Sequence, residues 1–129
     1  MTTMHTNMNR PAGTARVETS TLIASDKVEG TAAYGADKKK IGSIENLMIN
    51  KRSGQVAYAV LSFGGFLGVA TDHYPLPWSM LHYDEELGGY LVNVTKEQLK
   101  AAPKYGAAEL WNWSDVQKDR EIESYYRIM

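Results

Sequence analysis

The alternation of apolar and polar residues predicts a chain built mainly from β-strands. A short strand is expected over residues 30–34 and a longer one over 41–50, where Gly42 disfavours the helix that the apolar spacing would also fit. The turn sequence KRSG at 51–54 is a suitable hairpin connection to a third strand over 55–63, because its glycine can take a left-handed backbone conformation. This half of the chain is therefore expected to form consecutive antiparallel strands.

The third predicted strand is apolar on both faces. One face carries Val56, Tyr58 and Val60, and the other carries Ala57, Ala59, Leu61 and Phe63. Burial on both sides is unusual for a strand of an open antiparallel sheet, whose outer face commonly meets water. Either the C-terminal helix of the same chain or a second subunit has to cover the outer face. We expect a homodimer on this ground.

The second half of the domain continues the β pattern. Tyr74-Pro-Leu-Pro77 is predicted to be an extended edge or rim strand, because proline donates no ladder hydrogen bond and restricts the residue before it. Residues 80–83 and 90–94 flank a turn at 84–89 and predict a second hairpin.

Two capping boxes predict helices. Thr95 with Gln98 begins a short helix after the last strand, and Ser114 with Gln117 begins a second one over about residues 115–126. The apolar residues expected on the buried face of the second helix are Val116, Ile122 and Tyr126.

Composition favours one soluble domain without covalent staples. The chain has 129 residues, a formal net charge of −1 and no cysteine, which excludes disulfides, thiolate metal sites and cysteine nucleophiles. The near-zero charge provides no general attraction to nucleic acid or to anionic membranes. No apolar run is long enough to span a bilayer, and the first residues lack the apolar core of a secretory signal. A cytoplasmic location is expected.

Candidate catalytic and metal-binding residues are few. His5, His73 and His82 are widely separated, without the spacing of metal ligands, and no Gly-x-Ser-x-Gly motif is present. The basic residues at 38–40 and 51–52 could form one basic edge, but solvated charged turns are the simpler interpretation. The sequence therefore predicts no catalytic residue, no metal site and no cofactor.

The aromatic residues give the most specific candidate surface. Around the glycine pair of the stretch SFGGFLGVATDHYPLPW, a candidate interaction surface is formed by Phe63, Phe66, Leu67, His73, Tyr74 and Trp78. Candidate anchors of the tail are Trp111, Trp113, Tyr125 and Tyr126. Tryptophan and tyrosine are common interface anchors, so these residues indicate either a protein contact or a tail that folds back over the strands.

Four blocks of sequence carry a family resemblance. They are GTAAYGAD at 30–37, KIGSIENLMI at 40–49, SGQVAYAVL at 53–61 and YPLPW at 74–78. In their order and spacing the chain resembles the PRC-barrel family, in its stand-alone bacterial form. Barrels of this type occur in the cytoplasmic part of the photosynthetic reaction centre H subunit and in a ribosome maturation factor. One departure is Lys38, which stands in a turn where the family often has glycine.

The resemblance implies a fold, a division of the chain and a role. The fold is a small antiparallel β-barrel with a short helix after the last strand and a C-terminal helical tail. From its polar composition we expect residues 1–20 to be a disordered tail, and the resemblance implies a PRC-barrel domain over 21–105 and a C-terminal extension with a helix over 106–129.

The implied role is non-enzymatic protein binding or assembly with an unidentified protein partner, while the homodimer is expected from the apolar faces of the third strand. One alternative is a small-molecule or ion sensor that holds its ligand at the barrel mouth with His73, Tyr74 and Trp78. A second alternative is an RNA-associated assembly factor; DNA binding and an integral membrane segment are not expected.

Overall fold

The structure, a computed structural model, describes residues 19, 21–63, 72–106 and 111–128. The described elements in chain order are α1 (Ser25–Val28), β1 (Ala32–Tyr34), β2 (Lys40–Ile49), β3 (Val56–Phe63), β4 (Asp72–Pro77), a 3-10 turn (Trp78–Met80), β5 (Leu81–Asp84), β6 (Gly89–Val92), α2 (Lys96–Lys100), β7 (Tyr105–Gly106) and α3 (Val116–Ile128). The predicted strands and both predicted helices are present, so the mainly β interpretation is confirmed. The predicted disordered tail lies outside the described residues, except for Thr19.

The strands form one seven-stranded sheet in the order β5-β6-β1-β2-β3-β4-β7. Five of the neighbouring pairs are antiparallel, but β1 and β6 are parallel, so the expectation of an antiparallel sheet is wrong for this pair. Parallel neighbours need a long crossover, and here the chain passes through β2 to β5 before β6 returns beside β1. Among the described residues no ladder joins the terminal strands β5 and β7, and closure into a barrel is not seen.

Short-range polar contacts explain the two turns that flank β2. After β2, the Asn50 Oδ1 atom accepts hydrogen bonds from the amides of Arg52 and Ser53, and Gly54 has the expected positive φ of 78°. Before β2, Lys38 takes the left-handed conformation itself, with a φ of 66°. A lysine in this conformation costs about 1 kcal/mol relative to glycine. The departure from glycine at Lys38 is therefore accommodated as a local strain, without a change of fold.

A β-bulge in β2 determines where Glu45 lies. Ile44 pairs with Leu61 of β3 and Asn46 pairs with Val60, so Glu45 is the additional residue between them. The bulge interrupts the alternation of faces and allows Glu45 to reach across the outer face of the sheet. This placement brings its carboxylate to within 4.0 Å of His73 Nε2 in β4.

The hydrophobic core lies on the inner face of the sheet. It includes buried residues from the strands, from α2 and from α3, among them Ile44, Leu61, Tyr74, Leu76, Val92, Leu99, Ile122 and Tyr126. The helix residues Ile122 and Tyr126 are buried as predicted, whereas Val116 is 57% exposed and does not belong to the buried face. The C-terminal helix therefore completes the core of the domain.

The outer face of β3 is covered within the single chain. Val60 is fully buried there, and the ring of Tyr58 lies 5.7 Å from that of Trp113 in the C-terminal part of the chain. Of the two predicted covers, the chain's own tail is therefore present. The apolar outer face no longer requires a second subunit, and the homodimer stays a prediction.

The two prolines of β4 determine which edge of this strand can pair with another strand. Its ladder with β3 continues through Pro75 and Pro77, so the donors toward β3 have to come from the alternate residues Tyr74 and Leu76. The backbone nitrogens of the prolines then face the other edge, where the described part of β7 pairs with Asp72 and His73. Another strand cannot extend over the proline half of this edge, and α3 packs against β4 instead. The predicted edge character applies to this half of the strand.

Capping explains where the helices begin. In α2 both bonds of the predicted capping box are present, since the Gln98 amide donates to Thr95 Oγ1 and the Thr95 amide donates to Gln98 Oε1. In α3 the predicted box at Ser114 is wrong by one residue, because Asp115 Oδ1 accepts from the Gln117 amide at 2.9 Å. A carboxylate is a stronger acceptor than a hydroxyl and also favours the positive end of the helix dipole.

We expect Gly42→Ala to lower the free energy of unfolding by about 2–3 kcal/mol, because overpacking forces the backbone to shift. A Cβ atom at Gly42 would lie 2.3 Å from the Ser62 carbonyl oxygen, between two central strands. Urea denaturation followed by circular dichroism measures the change. The matched control is Gly88→Ala, where φ is 68° but nothing lies within 4 Å of an added Cβ; the expected loss there is about 1 kcal/mol. Equal losses in the two variants would contradict this account of Gly42.

Candidate functional site

Adjacent positions in β4 place His73 and Tyr74 on opposite faces of the sheet. Tyr74 is 2% exposed in the inner core, where its ring lies 5.8 Å from that of Phe63. His73 lies on the outer face and stacks on Tyr105 of β7. Of the predicted interaction surface, the structure therefore brings Phe63 and Tyr74 together but separates His73 from them.

Trp78 lies at the opposite end of β4 from His73. It is half-buried in the 3-10 turn, and its ring is 5.5 Å from that of Tyr90. Five residues of extended chain separate Trp78 from His73 by roughly 16 Å. A ligand site built from His73, Tyr74 and Trp78 together is therefore not formed. Phe66 and Leu67 lie outside the described residues.

A continuous row of aromatic rings follows the outer face and is called the aromatic row here. It consists of His73, Tyr105, Trp111, Trp113 and Tyr58. The successive ring centroids are separated by 5.1, 5.5, 6.1 and 5.7 Å, and the first pair is stacked at an interplanar angle of 15°. Such distances are typical of favourable aromatic pairs. The row joins β4, β7, the residues before α3 and β3.

Polar groups accompany the aromatic row. Glu45 Oε1 lies 4.0 Å from His73 Nε2, and Lys118 Nζ lies 4.7 Å from the centre of the Trp111 ring. The nitrogen atoms His73 Nδ1 and Trp111 Nε1 are buried and have no hydrogen-bond partner among the residues that the structure describes. The row thus combines apolar contact area with polar atoms whose hydrogen-bonding capacity is not used.

Two tyrosines of the row have perturbed acidity. Burial and the nearby Glu45 carboxylate raise the pKa of Tyr105. Burial, together with the negative charges of Asp119 and Glu123, raises the pKa of Tyr58 to about 12. Glu123 Oε2 also lies 3.5 Å from the Tyr58 hydroxyl, which donates to it. Both phenols are therefore neutral donors near pH 7, and neither is an activated nucleophile or base.

The predicted tail anchors contact the domain in or next to α3. The Tyr125 hydroxyl donates a hydrogen bond to the Gln98 carbonyl oxygen of α2. Tyr126 is 8% exposed, and its hydroxyl is buried without a hydrogen-bond partner. Burial is also the main cause that raises the pKa of Tyr126. Trp111 and Trp113 are half-buried and belong to the aromatic row, so all four anchors contact the body of the domain or each other.

Three residues of this site were not identified from the sequence: Glu45, Tyr105 and Lys118. The bulge in β2 places Glu45 in the site, and the two-residue strand β7 places Tyr105 there. The packing of α3 places Lys118 over the ring of Trp111. The available signals were the proximity of Tyr105 to Pro103 and the position of Glu45 as an isolated acidic residue in an apolar strand. Neither signal specifies a contact with His73.

Basic residues do not form the single edge that the sequence allowed. Lys38 and Lys39 precede β2 and Lys40 begins it, whereas Lys51 and Arg52 follow it. The ten residues of β2 separate the two groups by roughly 30 Å. They are turns at opposite ends of one strand.

The part of the chain that the structure describes has two further cavities but neither a metal cluster nor a membrane-spanning helix. It contains no group of three or more histidine, cysteine, aspartate or glutamate residues that could hold a metal ion. It also contains no helix with the length and apolar character needed to cross a membrane. A cavity of about 340 Å³ is lined by residues such as Asp26, Lys27 and Tyr83, and one of about 500 Å³ by residues such as Lys39 and Lys96. Neither cavity is lined by the predicted aromatic surface.

The ionisation of Tyr58 tests the packing of α3 on the aromatic row. We expect Glu123→Gln to lower the pKa of Tyr58 from about 12, because one of the negative charges that oppose ionisation is removed. Absorbance titration at alkaline pH, compared with a Tyr58→Phe chain, isolates this group. Glu121→Gln removes the same charge from an exposed position of the same helix and is expected to leave the titration unchanged.

The ionisation of Tyr58 also makes the free energy of unfolding depend on pH. The pKa is raised in the folded state from 10.0 to about 12, so the unfolded chain loses this proton first as the pH rises. The contribution of the neutral Tyr58 phenol to the free energy of unfolding is complete below pH 10 and is lost between pH 10 and 12. Tyr58→Phe should reduce the alkaline decline in thermal unfolding temperature; an unchanged decline would contradict the proposed environment.

Comparison with known proteins agrees with the architecture. The PRC-barrel domain family matches residues 20–99, which are more than half of the chain. An uncharacterized protein of Deinococcus radiodurans is 24% identical over 93 residues, covering 72% of this chain and 33% of that protein. The chain thus spans about a third of the length of this relative. From the extent of the family match, the chain belongs to the PRC-barrel domain family.

Proposed function

We propose that this chain is a non-enzymatic protein-interaction module that binds a protein partner at one end of its sheet. The surface, called the rim surface here, includes Phe63, His73, Tyr105 and Trp111, together with the connection at 64–71. Phe63 ends β3 and His73 lies near the start of β4, so both flank this connection. Phe66 and Leu67 of the predicted interaction surface belong to the same connection.

The contacts between the rings of His73, Tyr105 and Trp111 are the main support for this proposal. These side chains come from separate parts of the chain and are half-buried, and their ring centroids are 5.1 Å apart for His73 and Tyr105 and 5.5 Å apart for Tyr105 and Trp111. Rigid aromatic groups that keep some exposed area are common anchors of protein interfaces, because they bury much apolar area at a low entropic cost. Lys104 and Asp72, 3.8 Å apart and both exposed, provide polar groups beside them.

The non-enzymatic part of the proposal rests on the chemistry of the site. Catalysis by acid, base or nucleophile requires groups that are positioned together and that have suitable acidity. In the described ranges, the groups with a shifted pKa are tyrosines held in their neutral form. His73 contacts a carboxylate at 4.0 Å, but no serine or threonine hydroxyl is hydrogen-bonded to it in the described residues. Binding uses this arrangement better than catalysis does.

A crosslinked pull-down from the native cells tests the rim surface. We expect the Phe66→Asp, Leu67→Asp double variant to lose a defined set of captured proteins by about 30-fold, the effect of removing an interface hot spot. The control double variant, Leu22→Asp with Ile49→Asp, changes side chains that are 71% and 49% exposed elsewhere. All three chains should first be shown to have the same thermal unfolding temperature.

The two variants separate the possible outcomes. Loss in the rim variant alone supports a protein-binding rim surface. Equal capture by the parent, the rim variant and the control would contradict it.

A further inference from the structure

The residues 111–128, called the C-terminal segment here, are attached to the domain mainly by side chains. In the described part of the chain, two hydrogen bonds connect this segment to the other elements, and both use tyrosine hydroxyls. Tyr125 donates to the Gln98 carbonyl of α2, and Tyr58 donates to Glu123 over a long 3.5 Å. Ile122 and Tyr126 add apolar burial. The attachment is therefore a side-chain contact of the kind that a partner helix can make.

The contact between this segment and the sheet carries unpaired polar atoms. Within the described residues, the buried side-chain nitrogen and oxygen atoms without a hydrogen-bond partner are His73 Nδ1, Trp111 Nε1 and Tyr126 Oη. Two of them belong to the C-terminal segment, and the third lies in the aromatic row to which Trp111 belongs. Burial of a polar atom without a partner opposes the packing that buries it. The segment is therefore held less firmly than its apolar contacts alone would hold it.

The surface that receives the segment has a defined chemistry. Tyr74 and Leu76 of β4 and Leu99 of α2 are buried in one cluster with Ile122 and Tyr126. The Gln98 carbonyl oxygen borders this cluster and accepts the hydrogen bond from Tyr125. This surface, called the groove here, accommodates an amphipathic helix with apolar residues at positions i and i+4.

We propose that the groove between β4 and α2 is a docking site for an amphipathic helix of a protein partner, which displaces the chain's own C-terminal segment. The proposal rests on the protein-binding function proposed above. The partner helix carries apolar side chains in the places of Ile122 and Tyr126, a hydroxyl donor in the place of Tyr125 and a carboxylate in the place of Glu123. In the chain itself, the C-terminal segment is an intramolecular competitor for this site.

The unpaired hydroxyl of Tyr126 specifies one property of the partner. A phenylalanine or leucine in its place fills the same cluster without burying a hydroxyl group. Replacement of an unsatisfied buried polar group by an apolar one strengthens a contact by about fivefold or more. A helix with an apolar residue at this place therefore competes effectively with the C-terminal segment. A second copy of this chain would bring the same unpaired hydroxyl and gains no such advantage.

The experiment uses the full chain and a fluorescent peptide of residues 111–129 that carries Tyr126→Phe as the probe. Fluorescence anisotropy measures binding of this probe to the parent chain. The peptide with the unaltered sequence is expected to bind about fivefold or more weakly. An otherwise identical probe with Ile122→Asp is expected not to bind, because it places a charge in the apolar cluster.

Two variants of the chain change the intramolecular competitor in opposite directions. Tyr125→Phe removes the hydrogen bond to Gln98 and should increase probe binding, because the groove is open in a larger fraction of molecules. Tyr126→Phe in the chain removes the unpaired hydroxyl, strengthens the intramolecular contact and should decrease probe binding. Circular dichroism and thermal unfolding verify that both variants are folded.

Opposite shifts in these variants support a displaceable segment. Absence of probe binding to every chain, equal binding to all three chains or equal binding of the Ile122→Asp probe would overturn the proposal. The pull-down remains independent of these results. If rim-dependent capture persists while the probe does not bind, helix docking in the groove is wrong and the protein-binding function stands.

Discussion

The two prolines of β4 are the constraint on which the rest of this domain depends. They leave the ladder with β3 intact but remove the amide donors from the opposite edge at Pro75 and Pro77. An eighth strand has no donors to bind there, so side chains have to cover the edge. The C-terminal helix supplies them and inserts Ile122 and Tyr126 into the core. The helix is thus a structural part of the domain and also a ligand-like element.

The alternation of faces along β4 separates structure from surface. Tyr74 and Leu76 point inward and are buried, while His73 points outward and begins the aromatic row. One strand therefore supports the core on one side and the half-buried aromatic row on the other. This division explains why the residues of the YPLPW block contribute to packing, whereas the rim surface draws on Tyr105 and Trp111 from later in the chain.

Packing at the C-terminal segment is a compromise between apolar burial and polar satisfaction. Aromatic and aliphatic side chains gain from removal of water-exposed area. The same packing buries the Trp111 and Tyr126 polar atoms without partners. Most native contacts avoid such atoms, because the desolvation of a polar group is not recovered. Their concentration at one contact makes this part of the domain the natural place for a change of partner.

By itself, the sequence determined the features that depend on neighbouring residues. The strands of the first hairpin, the left-handed Gly54 and the capping box of Thr95 and Gln98 follow from periodicity and short-range hydrogen bonds. The resemblance to the PRC-barrel family was confirmed, because its blocks lie on these local elements. The cap of α3 could not be assigned from the sequence alone, because Ser114 and Asp115 are adjacent acceptors. The geometry of the chain decides that Asp115 is the cap.

Only the tertiary structure decided which distant residues meet. The parallel pairing of β1 with β6, the reach of Glu45 to His73 and the stacking of Tyr105 all join residues far apart in the chain. Periodicity gives the face on which a side chain lies, but not the element that covers that face. The apolar outer face of β3 was consistent with a second subunit or with the chain's own tail. Packing of the tail against Tyr58 provides a cover within one chain, because the proline edge of β4 leaves room for a helix there.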